Sequence, residues 1–172
     1  MKKTFKYDSQ PTCYMLIGLP GSGKSTWVER HLTTACTPTL VASSDDQLEK
    51  IAIREGITYS EAHAGFFKEA EKAYKAGMIE AARENHDIVV DRTNVMLSSR
   101  TRIRRLIESN TPVKYRYVGV VFEVPLDTLK ERLIEREERT GKRVSWKIVE
   151  GMLETVQLPD HGEFDLLTTI RP

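Results

Sequence analysis

A chain of 172 residues with 40% apolar and 30% charged side chains has the length and composition of one globular domain able to bury its own core; disorder, a collagen repeat and a disulfide scaffold are excluded. Its formal net charge of +1 means that anion binding must come from local patches rather than from a global field. No uncharged apolar run reaches the ~18 residues of a membrane span, and Lys2, Lys3 and Lys6 precede no apolar stretch of the kind a secretory leader needs.

Residues 1–12 are polar and are expected to form a tail, with the folded domain over 13–172. Short β-branched runs then alternate with longer segments of helical period. Strands are predicted over 13–18, 40–43, 87–91, 117–124 and 166–170, and helices over 24–35, 46–54, 60–84, 97–109, 126–139 and 145–157. The alternation, and strands apolar on both faces, predict an α/β fold: a five-stranded, mainly parallel sheet covered by helices on both sides. Residues 140–144, Thr-Gly-Lys-Arg-Val, interrupt two helices and mark a candidate mobile loop. Cys13 and Cys36 form no metal-ligand spacing and fit a reduced, cytoplasmic compartment. The four histidines are dispersed, and Trp27 and Trp146 read as packing residues.

The strongest local signal is Gly18-Leu-Pro-Gly21-Ser22-Gly23-Lys24-Ser25, which matches G-x-x-x-x-G-K-[ST] between a strand and a helix. Such a loop aims backbone N–H groups at phosphate, and the following helix adds its positive N-terminal end. Lys24 is expected on the β- and γ-phosphates of ATP, Ser25 on Mg²⁺, and Thr26 near the α-phosphate. No Asn/Thr-Lys-x-Asp guanine signature follows any strand, which argues against a GTP switch.

Ligands of an open α/β sheet sit beyond the carboxyl ends of its strands. The second strand ends in Ser43-Ser44-Asp45-Asp46. A carboxylate there can accept the proton of an attacking hydroxyl. Asp45 is the candidate base and Asp46 the helix cap, with the reverse assignment, or capping alone, as the alternatives. The third strand closes on Asp91-Arg92-Thr93-Asn94. Asp91 is a candidate for the Mg²⁺ shell or the acceptor hydroxyl, and Arg92, Thr93 and Asn94 for the acceptor site.

Two helices carry arginines. Arg100 falls on the inward stripe of Met96, Ile103 and Ile107, so it needs an anionic partner, either Asp91 or a bound phosphate. Arg102 and Arg105 point outward. Arg132, Arg136 and Arg139 share one face of helix 126–139 and suggest a lid closing on ATP, with Arg136 or Arg139 as the closing residue. The five arginines from 92 to 105 include no acid between them, and this separated positive charge suggests a polyanionic acceptor.

The ordered set Gly-Leu-Pro-Gly-Ser-Gly-Lys-Ser-Thr-Trp, Ser-Ser-Asp-Asp, Asp-Arg-Thr-Asn and Lys-Arg-Val-Ser-Trp-Lys-Ile-Val resembles the kinase domain of bacteriophage polynucleotide kinase. The resemblance implies a P-loop kinase fold with a helical lid. It implies transfer of the ATP γ-phosphate to a 5′-hydroxyl of DNA or RNA, with nucleic-acid ends as partners and no membrane. It also implies Asp45 as general base and Arg139 as the lid arginine. The phage enzymes flank the strand-two aspartate with arginines, whereas here Ser43, Ser44, Gln47 and Leu48 surround it. The same group contains small-molecule kinases, so a sugar, nucleoside or antibiotic hydroxyl is the alternative acceptor.

Overall fold

The computed structural model describes residues 10–171. Eleven elements run β1 (Thr12–Ile17), α1 (Lys24–Thr34), β2 (Thr39–Ala42), α2 (Ser44–Glu55), α3 (Tyr59–Arg83), β3 (Asp87–Val90), α4 (Leu97–Glu108), β4 (Arg116–Phe122), α5 (Leu126–Thr140), α6 (Trp146–Thr155) and β5 (Leu166–Ile170). The strands form one sheet in the order β2-β3-β1-β4-β5. Every neighbouring pair is parallel, so the sheet is wholly parallel among the described residues.

Alternate residues of the strands feed two separate cores, as the period of a strand requires. Cys13, Met15, Ile17, Ile88, Val90 and Tyr117 pack beneath α3 and α4 with Tyr74, Met78, Ile103 and Ile107. Leu16, Val89, Val118, Val120 and Phe122 point the other way and pack with Val28 of α1. Trp27 belongs to this second face and lies 4.6 Å, nearly coplanar, from His31, with Tyr14 against both. Trp27 is therefore a packing residue, as its position in α1 predicts. A third cluster, Leu48, Ile51, Ala52, Ala62 and Ala70, joins α2 to α3.

Central β1 and its neighbour β3 end beside each other, and α1, α2 and α4 all start at this rim. Most boundaries fall within two residues of the sequence reading, and two of the shifts have a visible cause. β1 begins at Thr12, inside the expected tail of residues 1–12, because Pro11 is buried and its carbonyl already accepts the Arg116 N–H; residues 1–9 of that tail lie outside the described residues. α2 begins at Ser44, two residues early, because Ser43 caps it. No helix among the described residues is long and apolar enough to cross a membrane.

Candidate active site

The loop from Gly18 to Gly23 turns tightly between β1 and α1. A Cβ on Gly18 would lie 2.7 Å from Ser22 Oγ and 2.9 Å from Phe122 Cβ, so only glycine fits against the end of β4. Gly23, the N-cap of α1, has φ 95, in the left-handed region where glycine is unstrained. The Gly18 N–H donates to the Thr93 carbonyl at 2.9 Å, which ties the loop to the end of β3.

Lys24 is buried inside this loop. Its Nζ donates to the Gly18 carbonyl at 3.0 Å, the Leu19 carbonyl at 2.8 Å and Ser22 Oγ at 3.3 Å. The loop oxygens thus hold the ammonium where phosphate oxygens would meet it. Burial pulls its pKa down to about 8, and the Arg136 charge pushes the same way, while Asp91 and Asp45 oppose. Asp91, Arg136 and Asp45 therefore all bear electrostatically on Lys24 at one rim of the sheet.

Ser25 and Asp91 face each other, hydroxyl to carboxylate, at 3.4 Å. Burial raises the pKa of Asp91; Lys24 and the Ser25 hydroxyl work against this, while Asp46 and Asp45 add to it. A hydroxyl and a half-buried carboxylate with other acids nearby make an oxygen-donor set suited to a hard divalent cation. Thr26 is exposed one residue further on.

Asp45 and Asp46 both lie in the first turn of α2, and neither is the cap. Ser43 Oγ accepts the Asp46 N–H at 3.1 Å and fills that role. The expectation that Asp46 caps the helix is corrected: the cap must precede the first helical residue, and the helix starts at Ser44. Asp45 is exposed toward the rim, and its Oδ1 accepts the Tyr59 O–H at 3.1 Å.

Beyond Asp91, the expected acceptor residues part company. Arg92 pairs with Glu71 at 2.8 Å and lies over the Tyr74 ring at 5.0 Å. Asn94 is buried with φ 45, and its Nδ2 donates to the Leu16 carbonyl at 2.8 Å and the Val90 carbonyl at 3.3 Å. It staples β1 to β3, so its amide is turned inward and the expectation of substrate contact is corrected. Thr93 contributes its carbonyl to Gly18 and is half-buried.

Arg100 is corrected most. It is 2% exposed and does need an anion, but the anion is Glu163, reached by Nε at 2.5 Å and Nη2 at 3.0 Å. Its Nη1 donates to the Asn94 and Gln157 carbonyls. The guanidinium thus locks α4 to the segment before β5, and Glu163 rather than Asp91 is its anion. Arg104 also donates to the Glu163 carbonyl and lies over the Tyr117 ring at 4.0 Å. Of the arginines of α4, Arg102 and Arg105 are the exposed ones, as expected.

On α5, the arginine at the cradle is Arg132, which donates to the Gly21 carbonyl at 3.5 Å. Leu129 and Leu133 on the same helix bury against the loop, with Leu133 Cδ2 3.4 Å from where a Gly21 Cβ would stand. Arg136 follows one turn later. Arg139 lies exposed further along, so the arginine that meets the loop is Arg132 rather than the expected Arg136 or Arg139. α5 stops at Gly141, and Lys142 then pairs with Glu49 of α2 and stands 5.3 Å from the Tyr59 ring. Sequence spacing gives no signal for Tyr59, Glu49 or Glu163. Tyr59 reaches Asp45 through the α2–α3 pairing, Glu49 reaches Lys142 where the chain turns at Gly141 after α5, and Glu163 reaches Arg100 on the return of the chain toward β5.

Solved structures share this fold. A protein of Chloroflexus aurantiacus J-10-fl described as a kinase aligns over 95% of this chain and 86% of its own, with TM-score 0.73 and 16% identity. A chain of the Pnkp1/Rnl/Hen1 RNA repair complex aligns over 88% of this chain but 46% of its own, with TM-score 0.67 and 22% identity. A gluconokinase from Sinorhizobium meliloti 1021 aligns over 94% and 82%, with TM-score 0.54 and 22% identity. These likenesses establish a P-loop kinase-like fold. The model of the AAA domain family AAA_33 matches residues 14–159, from β1 through α6, and the chain belongs to that family.

Proposed function

We propose that the protein is an ATP-dependent phosphotransferase that phosphorylates a hydroxyl group, and that its acceptor is the 5′-hydroxyl end of a polynucleotide. The observation that carries the reaction class is the convergence of Lys24, Ser25, Asp91 and Asp45 on one rim, where Asp45 bears on the charges of both Lys24 and Asp91. The loop N–H groups and Lys24 bind the β- and γ-phosphates of ATP. Ser25 and Asp91 would hold Mg²⁺, which would supply screening of the phosphate charge. Asp45 accepts the acceptor proton as the oxygen–phosphorus bond forms and the bond from the γ-phosphorus to the β–γ bridging oxygen breaks, releasing ADP. Arg132 and Arg136 neutralise charge on the transferring group.

Supporting the polynucleotide acceptor are the motif resemblance and the exposed cations Arg139 and Lys147. A second reading, a small-molecule kinase, draws on a specific observation: Arg92 and Arg100 are both engaged by acids of the chain itself. A screen with radiolabelled ATP separates the two. A 5′-hydroxyl oligonucleotide several nucleotides long is expected to be labelled far better than a nucleoside or sugar. Its apparent affinity should fall with salt at a slope of about two or three phosphate contacts. Equal use of a nucleoside or sugar with no salt dependence favours the second reading. ATP turnover indifferent to every acceptor refutes both.

A further inference from the structure

We propose that Tyr59 is a positioning residue for Asp45, and that Lys142, from the loop that ends the lid, fixes Tyr59 in that role. The proposal rests on the reading of Asp45 as the base.

Asp45 stands exposed in the first turn of α2. A short exposed carboxylate rotates about two torsions and spends only part of its time aimed at an acceptor. The Tyr59 O–H donates to Asp45 Oδ1 at 3.1 Å and removes that freedom. The bond occupies one carboxylate oxygen and leaves the other for the acceptor proton. Tyr59 can impose an orientation because its own ring is packed against the cluster of Leu48, Ile51, Ala52, Ala62 and Ala70 between α2 and α3. The Thr58–Glu61 capping box fixes the start of α3 immediately before it. Burial and the Asp45 charge hold the phenol well above its ordinary pKa, so it remains a donor at neutral pH.

The second contact links this pair to the lid. Lys142 follows Gly141, whose φ of 70 ends α5 and turns the chain back toward α2. Its Nζ stands 5.3 Å from the Tyr59 ring centroid and pairs with Glu49, one helical turn after Asp45. Arg132 and Arg136 lie on the helix immediately before. Seating of the lid and orientation of the base thus share one aromatic ring. An acceptor hydroxyl then meets an aimed carboxylate only when the arginines of α5 are also in place.

The test uses the full chain with the acceptor that the screen above identifies. Tyr59→Phe keeps the ring and its contact with Lys142 but removes the hydroxyl. The expected result is a fall in kcat of roughly tenfold with KM for ATP changed less than about twofold. Asp45→Asn is measured in parallel. Because Tyr59 acts through Asp45, the double variant Asp45→Asn/Tyr59→Phe should be no slower than Asp45→Asn alone. If Asp45→Asn collapses turnover while Tyr59→Phe matches the wild type and Tyr59→Leu does not, the ring is packing only and the proposal falls while the base reading stands. If Asp45→Asn turns over normally, the base reading falls and takes the proposal with it. Multiplied losses in the double variant also overturn it. For the lid contact, Lys142→Met should lower kcat in the wild type and have no further effect in Tyr59→Leu. The same loss in both backgrounds refutes the link to the lid.

Discussion

Ser25 Oγ and Asp91 Oδ2 stand 3.4 Å apart although 66 positions separate them in the chain. The parallel pairing of β1 with β3 brings them together, because it sets the loop after β1 beside the carboxyl end of β3. Asp91 is half-buried and raised in pKa by that burial, so its ionised form lacks full compensation from the protein alone. The pairing of a strained charge with an adjacent hydroxyl suits a site completed by a divalent cation.

Asp91→Asn separates that role from structure. The amide can still accept from Ser25, so the local hydrogen bond survives. Turnover should fall by about 10²-fold or more, and half-maximal activity should need more Mg²⁺. Without metal, the variant should melt at a higher temperature than the wild type, since a penalised carboxylate has gone. An unchanged Mg²⁺ requirement rules out Asp91 as part of the cation site.

The cap and the base of α2 can be told apart by substitution. Ser43→Ala should cost about 1 kcal/mol of stability, read by denaturant melts, because it frees the Asp46 N–H. Asp45→Asn should lower turnover by about 10²-fold with nucleotide binding little changed. Asp46→Ser should be mild in both, since Ser43 already caps the helix. Greater loss of turnover in Asp46→Ser than in Asp45→Asn reverses the assignment of the base.

The sheet, its parallel sense and the phosphate loop were legible because each is written in local pattern: two-sided apolar runs, helical stripes, and a motif with its own context. The inward stripe correctly placed Arg100 in the interior. What periodicity could not supply was its partner. Glu163 lies 63 positions away, and only the return of the chain toward β5 brings it to α4. The apparent run of positive charge from Arg92 to Arg105 dissolved for the same reason. Glu71 and Glu163, distant in sequence, take up Arg92 and Arg100, and aromatic rings lie under Arg92 and Arg104. The sequence leaves Asn94 ambiguous, because a turn residue before a helix serves a ligand or the backbone with the same side chain. Here its φ of 45 and its bond to the Leu16 carbonyl commit it to the backbone.

The Arg100–Glu163 pair should behave as architecture. Arg100→Met leaves a partly buried carboxylate without its guanidinium, and Glu163→Gln leaves a buried guanidinium facing an amide. Either should lower stability by roughly 3–5 kcal/mol, with KM for ATP unchanged at temperatures where the variant stays folded. The double variant Arg100→Met/Glu163→Gln should recover part of the loss. Loss of nucleotide or acceptor affinity without destabilisation returns Arg100 to the substrate site.

The three arginines of α5 should rank by their distance from the cradle. Arg132→Gln is expected to lower kcat the most, Arg136→Gln next and Arg139→Gln least, with the first about 10²-fold. Arg132 touches the Gly21 carbonyl, whereas Arg139 is exposed. If Arg139→Gln is the most damaging, the helix must swing further over the nucleotide than it does here, and the family resemblance describes the working lid better than this geometry.

Lys24 gives the pH dependence. Its pKa is lowered to about 8, chiefly by burial, with Arg136 adding to the effect and Asp91 and Asp45 opposing it. A triphosphate brings negative charge to the ammonium and should raise that pKa again. Below pH 8 the free protein already carries the proton, so binding takes up little. Above it, Lys24 is neutral in the free protein, and binding must draw a proton from solution. Apparent affinity for ATP should therefore be nearly flat below pH 8 and weaken above it, by up to about tenfold per pH unit until the bound-state pKa is reached. Calorimetry at pH 8.5–9 in two buffers of different ionisation enthalpy should report uptake of a fraction of a proton. Lys24→Met should abolish that uptake along with most of the turnover. Proton release in place of uptake, or the same uptake in Lys24→Met, would place the titrating group elsewhere and remove Lys24 as the phosphate-facing charge.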